Sequence, residues 1–274
     1  MVRIFALLLN SLISLTHEMI RREQNDGWIL ITQDDHAKFA GQVIAHWGNN
    51  EFAKPEPFDE VLFAVREHDS GWKEWDSMPK VNPETGYPAN FVEMSSQDQC
   101  EIWSRCYKSH STTHPYASTL IALHFSKFNQ SNIRKDPNNE LANSLLNDMK
   151  RFVADKLDLK VSNLHLERIP DDLRINLKLL QIGDIISLNF CHGWRSIEIT
   201  EVPLDYNGSE TTMRMESQDG FNYQITPYPF CDSSLKFSMN GKKLDRKTFS
   251  DDEEFRERLS NSKYETLDFT IRKG

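Results

Sequence analysis

One carboxylate set in an apolar run is the strongest constraint this chain places on its own fold. In Leu179-Leu180-Gln181-Ile182-Gly183-Asp184-Ile185-Ile186-Ser187-Leu188, apolar residues flank Asp184 on both sides. Burying an unpaired ionised carboxylate costs several kcal/mol even after relaxation. A fold that buries this segment must therefore bring a metal ion or an arginine to Asp184. Gly183 adds a cost of roughly 1 kcal/mol in a helix interior, which the close approach of another backbone explains. The other reading ends one helix at Gly183 and makes Asp184 the cap of the next. The apolar run continues past Ile185, which favours ligation.

Other metal-ligating residue types stand on separate apolar segments. His68-Asp69 closes the run Val61-Leu62-Phe63-Ala64-Val65. Adjacent helical residues point about 100° apart, so the two do not face each other, but both reach an ion placed at the helix end. The plain alternative is a C-terminal histidine favoured by the helix dipole, with an aspartate opening the next turn. His124 lies in Leu120-Ile121-Ala122-Leu123-His124-Phe125, where a lone histidine reads equally as a core residue or a ligand. His36 follows two aspartates in the first turn of its helix and, taken alone, reads as a surface residue. His110 and His114 are four apart, but Pro115 disfavours helix at His114 and places the pair in a loop at a pocket mouth.

The rest of the composition excludes more than it assigns. A net charge of −9 and a pI of about 5.5 argue against general affinity for a nucleic-acid backbone. The four cysteines, Cys100, Cys106, Cys191 and Cys231, form no C-x-x-C pair. They read as reduced thiols of a cytoplasmic protein. The apolar stretch Ile4–Leu15 is too short to cross a membrane. It lacks a small-residue cleavage site before Met19, which itself reads as a natural start. Residues 1–18 are thus expected to be a dispensable extension, with a secretion signal as the other reading.

Two periodicities divide the remainder. From Asp34 to Cys191 the apolar pattern is mostly helical. It predicts a helix capped by Asp34 or Asp35, a second over Phe58–Asp69, and others at Ser96–Ser109, Pro115–Asn129, Asn139–Leu157 and Asp171–Cys191. Between them Ser70–Met94 reads as a long loop whose Trp72, Trp75, Tyr87 and Phe91 argue against disorder. From Trp194 the pattern alternates as strands, with turns at Asn207-Gly208, Asp219-Gly220 and Asn240-Gly241 and a short acidic helix at Asp251–Leu259. The expected fold is α+β: a mainly helical bundle over 19–192, then a C-terminal antiparallel sheet over 193–274.

The order His36, His68-Asp69, His124, Asp184 resembles the ligand order of HD-domain metallohydrolases, over roughly residues 30–192. That resemblance implies an HD-like bundle with His36, His68, Asp69 and Asp184 on one divalent ion and His124, with His114, available to a second. It also implies Asp69 as general base. A closer resemblance, from Met19 onward, is to the uncharacterised bacterial family known as domain of unknown function 3891. It is carried by Gln33-Asp34-Asp35-His36, HDSGWKEWDSMPKVNPETGYPANF from His68, ALH ending at His124, LQIGDIISLNFC and ITPYPF. It implies no activity. The chain departs from HD hydrolases where Ser70-Gly71-Trp72 leads into an aromatic loop, which puts a nucleotide substrate in doubt.

The leading expectation is a metal-dependent hydrolase of a small, phosphorylated substrate. A mixed nitrogen and oxygen shell suits Mn, Fe, Zn or Co. Trp72, Trp75 and Tyr87 are expected to wall the pocket, with His114 at its mouth, and Lys73, Arg66 or Arg105 to neutralise phosphate. Two other readings stay open: a di-iron oxygenase, and a non-catalytic module that binds a small ligand. No nucleic-acid or membrane partner is expected, and the sequence sets no oligomeric state.

Overall fold

The computed structural model describes residues 19–89, 94–166 and 168–274. The N-terminal extension and residues 90–93 near the end of the aromatic loop, Phe91 among them, lie outside the described residues. The chain opens with a hairpin of β1 (Ile20–Glu23) and β2 (Trp28–Ile31), then runs through α1 (Gln33–Ala45), α2 (Phe58–Glu67) and the single turn α3 (Lys73–Asp76). Four longer helices follow: α4 (Ser96–Lys108), α5 (Pro115–Lys135), α6 (Glu140–Lys156) and α7 (Asp171–His192). The chain closes with β3 (Ser196–Pro203), β4 (Glu210–Ser217), β5 (Asn222–Thr226), β6 (Ser234–Leu244), α8 (Asp252–Asn261) and β7 (Tyr264–Lys273).

The expected helical HD-like bundle followed by an antiparallel sheet is not what forms. One seven-stranded sheet, ordered β1-β2-β6-β7-β5-β4-β3, takes strands from both sides of the helical region. β2 pairs with β6, so the helices are an insertion between strands of one sheet. The sheet is mixed, because β6 leaves a slot beside β5 that β7 fills, antiparallel to β6 and parallel to β5.

The N-terminal hairpin escaped the periodicity argument for a physical reason. All four residues of β2 are buried: Ile29 and Ile31 enter the main core, while Trp28 and Leu30 join Leu244, Phe249 and Phe255 in a second, smaller cluster. A strand covered on both faces shows no alternation. The later strands are covered on one face only and do alternate, as in β6. Asn240-Gly241, expected as a turn, lies inside β6 opposite Thr266 and Glu265. Its glycine is a close-approach site instead: a Cβ there would sit 2.3 Å from Ile29 Cγ2 on β2.

Local signals explain the helix ends. Thr32, not Asp34 or Asp35, caps α1, its hydroxyl accepting from the Asp35 amide at 3.0 Å. Asn139 caps α6 in the same way. α7 runs unbroken through Gly183 and stops at Gly193, whose φ of 69° is the left-handed geometry a glycine adopts at no steric cost. Helices α1 and α7 lie against the sheet, where Phe39 of α1 and Phe190 of α7 meet Phe269 of β7 edge-on or tilted. α2 and α5 pack on the other side of α1 and α7, and α4 and α6 pack on α5.

Candidate metal centre

The α1, α2, α5 and α7 helices meet around a polar cluster in an otherwise apolar interior. α1 contributes His36 from its first turn, the end of α2 contributes His68 and Asp69, α5 contributes His124 and α7 contributes Asp184. All five are buried; the histidines are at most 2% exposed, and Asp69 and Asp184 show 8% and 9%. Gly183 is what lets α7 close on the site. A Cβ there would lie 2.7 Å from Ile44 Cγ1 and 3.0 Å from Val65 Cγ1, so neighbouring side chains, not the expected backbone, occupy the space it leaves.

The distances define one convergent set. His36 Nε2 lies 3.1 Å from Asp184 Oδ1 and 3.9 Å from Asp69 Oδ2. His68 Nε2 lies 3.4 Å from Asp69 Oδ2 and 3.8 Å from Asp184 Oδ1. His124 Nε2 approaches the other Asp184 oxygen at 3.6 Å. One ligand atom from each of His36, His68 and Asp184 fits within 4.8 Å of the others.

Hydrogen bonds hold both imidazoles from behind. His68 Nδ1 donates to the Val65 carbonyl at 2.8 Å, which fixes its tautomer. His36 Nδ1 lies 2.7 Å from Ser187 Oγ, a hydroxyl that is also 2.9 Å from the His36 carbonyl. Neutral His68 therefore aims an Nε2 lone pair at buried carboxylates, which repels unless a cation or an added proton lies between. Among the described residues His68 Nε2 has no hydrogen-bond partner despite its burial. An orphaned buried nitrogen facing carboxylates fits a metal site, and so does the fixing of its tautomer by a backbone carbonyl.

The electrostatics follow from the same packing. Burial opposes charging of His68, but Asp69 and Asp184 outweigh it and raise its pKa to about 9. Burial alone would raise Asp184; its hydrogen bond from His36 and the nearby His68 and His124 bring it down to about 2. His124 is dominated by burial and falls to about 4.

Comparison with known sequences places the chain. A family described as "Protein of unknown function (DUF3891)" matches residues 19–246. The chain belongs to that family. The match runs from the N-terminal hairpin through the end of β6, so it contains every residue of the cluster. No curated protein and no solved structure matches the chain. The likeness to HD-domain hydrolases rests on the order of histidines and aspartates alone.

This DUF3891 chain does not gather the other expected residues at one pocket. Trp72 is 3% exposed and belongs to the main core. Trp75 packs against the core edge with Lys80 Nζ 4.5 Å from its ring centroid. Tyr87 joins the smaller cluster, 5.5 Å edge-on from Trp28. His114 stacks on Phe63 at 3.7 Å, and its Nδ1 lies 2.8 Å from Glu60 Oε1. Glu60 also accepts from the Ala117 amide in the first turn of α5, so it ties α2 to α5. Of the cations expected to meet phosphate, Lys73 pairs with Asp34 and Glu67, and Arg105 pairs with Glu74. Arg66 lays its stem where a Gly41 side chain would sit.

Ser187 is the residue that sequence reading missed. Its signal was present: it sits three residues after Asp184 on the same helix, the spacing that puts two side chains on one face. Ser187, His36 and Asp184 also form a serine–histidine–aspartate line. The serine in it is fully buried, so it does not face a substrate as a nucleophile must.

Proposed function

We propose that this DUF3891 protein is a metal-dependent hydrolase of a small substrate, with His36, His68, Asp69 and Asp184 holding one divalent transition metal and His124 beside them. The observation that carries the reading is the convergence of the His36, His68 and His124 Nε2 atoms on the Asp69 and Asp184 carboxylates in an apolar interior, with the His68 tautomer fixed by the Val65 carbonyl. Three nitrogens and two carboxylates suit Mn, Fe, Zn or Co more than calcium, which takes all-oxygen shells. A divalent ion bound there supplies Lewis acidity and lowers the pKa of a coordinated water.

The protein's own groups supply the rest. The Val65 carbonyl holds His68 in the tautomer that leaves Nε2 for the ion, and Ser187 orients the His36 ring from its Nδ1 side. Asp69 and Asp184 are the more exposed members of the set, so they face whatever reaches the site, and Asp69 is assigned the role of general base toward water. The apolar residues around the helices keep the effective dielectric low and strengthen each of these interactions.

The test has two stages. Elemental analysis of purified protein is expected to find near-stoichiometric transition metal. Metal-reloaded protein is then assayed on p-nitrophenyl phosphate and its bis ester against chelated protein. Metal that binds without any metal-dependent hydrolysis supports a second reading, a structural or sensory ion. The near-complete burial of the three imidazoles favours that reading, because structural sites are closed to solvent.

A further inference from the structure

The stretches that deliver the ligands deliver further acids with them. Asp34 and Asp35 precede His36 in the first turn of α1, and Glu67 precedes His68 at the end of α2. The chain then turns back, and Asp76 at the end of α3 accepts the Gln33 amide of α1 at 3.2 Å. Two lysines meet this acidic border, and both are held by it. Lys38 Nζ lies 2.6 Å from Asp34 Oδ2, while Lys73 Nζ lies 3.2 Å from Asp34 Oδ1 and 3.6 Å from Glu67 Oε2. Asp76 Oδ1 is buried with no hydrogen-bond partner among the described residues. Burial pushes this carboxyl up, and Asp69, Asp34 and Asp35 push it further the same way.

These charges disfavour a doubly charged anion. A divalent ion at the centre is neutralised by Asp69 and Asp184, and the two lysines answer only part of the border. An incoming group thus meets negative charge even with the metal in place. A phosphate monoester is doubly negative, and sites that take one clamp it with arginine, lysine or further metal ions. Here Arg105 is paired with Glu74 at 2.8 Å. Arg66 lays its stem across Gly41, roughly 7 Å further along α1 than His36. Asp76 Oδ1 has the opposite need, since a buried acceptor left alone calls for a donor.

We infer that the substrate brings an ammonium group to Asp76, beside the metal centre, and that phosphate monoesters are excluded. The inference rests on the hydrolase reading and names a substrate class for it: a small amine-bearing molecule with no more than one negative charge. Two unpartnered buried atoms mark its ends, His68 Nε2 on the metal side and Asp76 Oδ1 on the amine side.

Two p-nitrophenyl phosphate diesters test this on full-length, metal-loaded protein. One carries an aminoethyl arm and the other a propyl arm, so they differ only by ammonium against methyl. Hydrolysis frees p-nitrophenolate from both. The aminoethyl diester is expected to show a kcat/KM higher by about tenfold or more, the effect of one charged hydrogen bond. That preference is expected to shrink as salt rises, and to fall to about threefold or less in Asp76→Asn, which keeps an acceptor for the Gln33 amide. The monoester p-nitrophenyl phosphate is expected to be the poorest of the three. Calorimetry with the methyl diesters of the same two arms repeats the comparison without turnover. A propyl arm that does as well, a preference for the monoester, or a preference unchanged in folded Asp76→Asn overturns the inference and leaves the hydrolase reading standing. Tighter binding of the aminoethyl arm with no turnover of any ester upholds amine recognition and overturns the hydrolase. Binding of neither arm overturns the inference, and a wild type that retains no metal overturns the centre and the inference together.

Discussion

His36 Nε2 lies 3.1 Å from Asp184 Oδ1 although 148 residues separate the two in the chain. The contact joins the first turn of α1 to the middle of α7, with His68 Nε2 3.8 Å from the same oxygen. Without a cation, protons must hold this arrangement together. The competition between proton and metal is therefore the property that most directly exposes the site.

Removing the shared oxygen donor is expected to abolish binding. Asp184→Ala and His68→Ala should each retain well under a tenth of the wild-type metal content after dialysis, measured by elemental analysis. Full retention in both variants rejects the assigned ligands.

Metal uptake is expected to expel a proton from His68. Its pKa is raised from 6.5 to about 9, so the chelated protein holds a proton there at neutral pH. A raised pKa contributes stability that is complete below pH 6.5 and is lost as pH climbs through about 9. Thermal unfolding of chelated protein should therefore show a Tm that declines across that window. Calorimetric titration with Zn(II) at pH 7 in buffers of different ionisation enthalpy should report close to one proton released per ion. A release near zero shows that His68 is not a ligand.

Gly183→Ala tests how α7 is seated. The new methyl meets Ile44 and Val65 at 3.0 Å or less, and overpacking of a core costs about 1–3 kcal/mol. Replacing glycine by alanine within a helix returns roughly 1 kcal/mol. The net expectation is a lower urea midpoint together with weaker metal binding, because Asp184 is the next residue. An unchanged midpoint means that α7 and its neighbours accommodate the methyl freely.

Arg22 ties β1 to the end of α7. Its guanidinium donates to the Phe190 carbonyl at 2.6 Å and to the Gly220 carbonyl at 2.9 Å, and lies 4.3 Å from the Phe221 ring centroid. It is 5% exposed, and burial lowers its pKa, yet charge-assisted bonds and the negative end of α7 hold it there. Arg22→Met should lose about 3–6 kcal/mol, two such bonds at the usual net value for a charged donor, read as a shift in urea unfolding. Arg22→Lys should recover only part, since one ammonium does not span both carbonyls.

Much of the secondary structure was legible because its signals are local. The strand at Ser196–Pro203 alternates over its first four residues, since one face meets the helices and the other meets solvent, until the register shifts between Ile199 and Val202. The helices announced themselves by apolar spacing, and Asp184 by its isolation within one of them. The sequence by itself thus determined that a carboxylate would be buried in α7 and that histidines would stand on three other helices.

What it did not determine is which distant segments meet. β2, buried on both faces, carries no alternation to reveal it, and its pairing with β6 depends on the close approach that Gly241 allows. The partition of the aromatic loop, with Trp72 in the main core and Tyr87 in the smaller cluster, is likewise a consequence of long-range packing. Hydrophobic burial is non-directional, so composition and spacing say that a side chain goes inside. Only the assembled tertiary structure decides which hydroxyl, carbonyl or carboxylate it meets there.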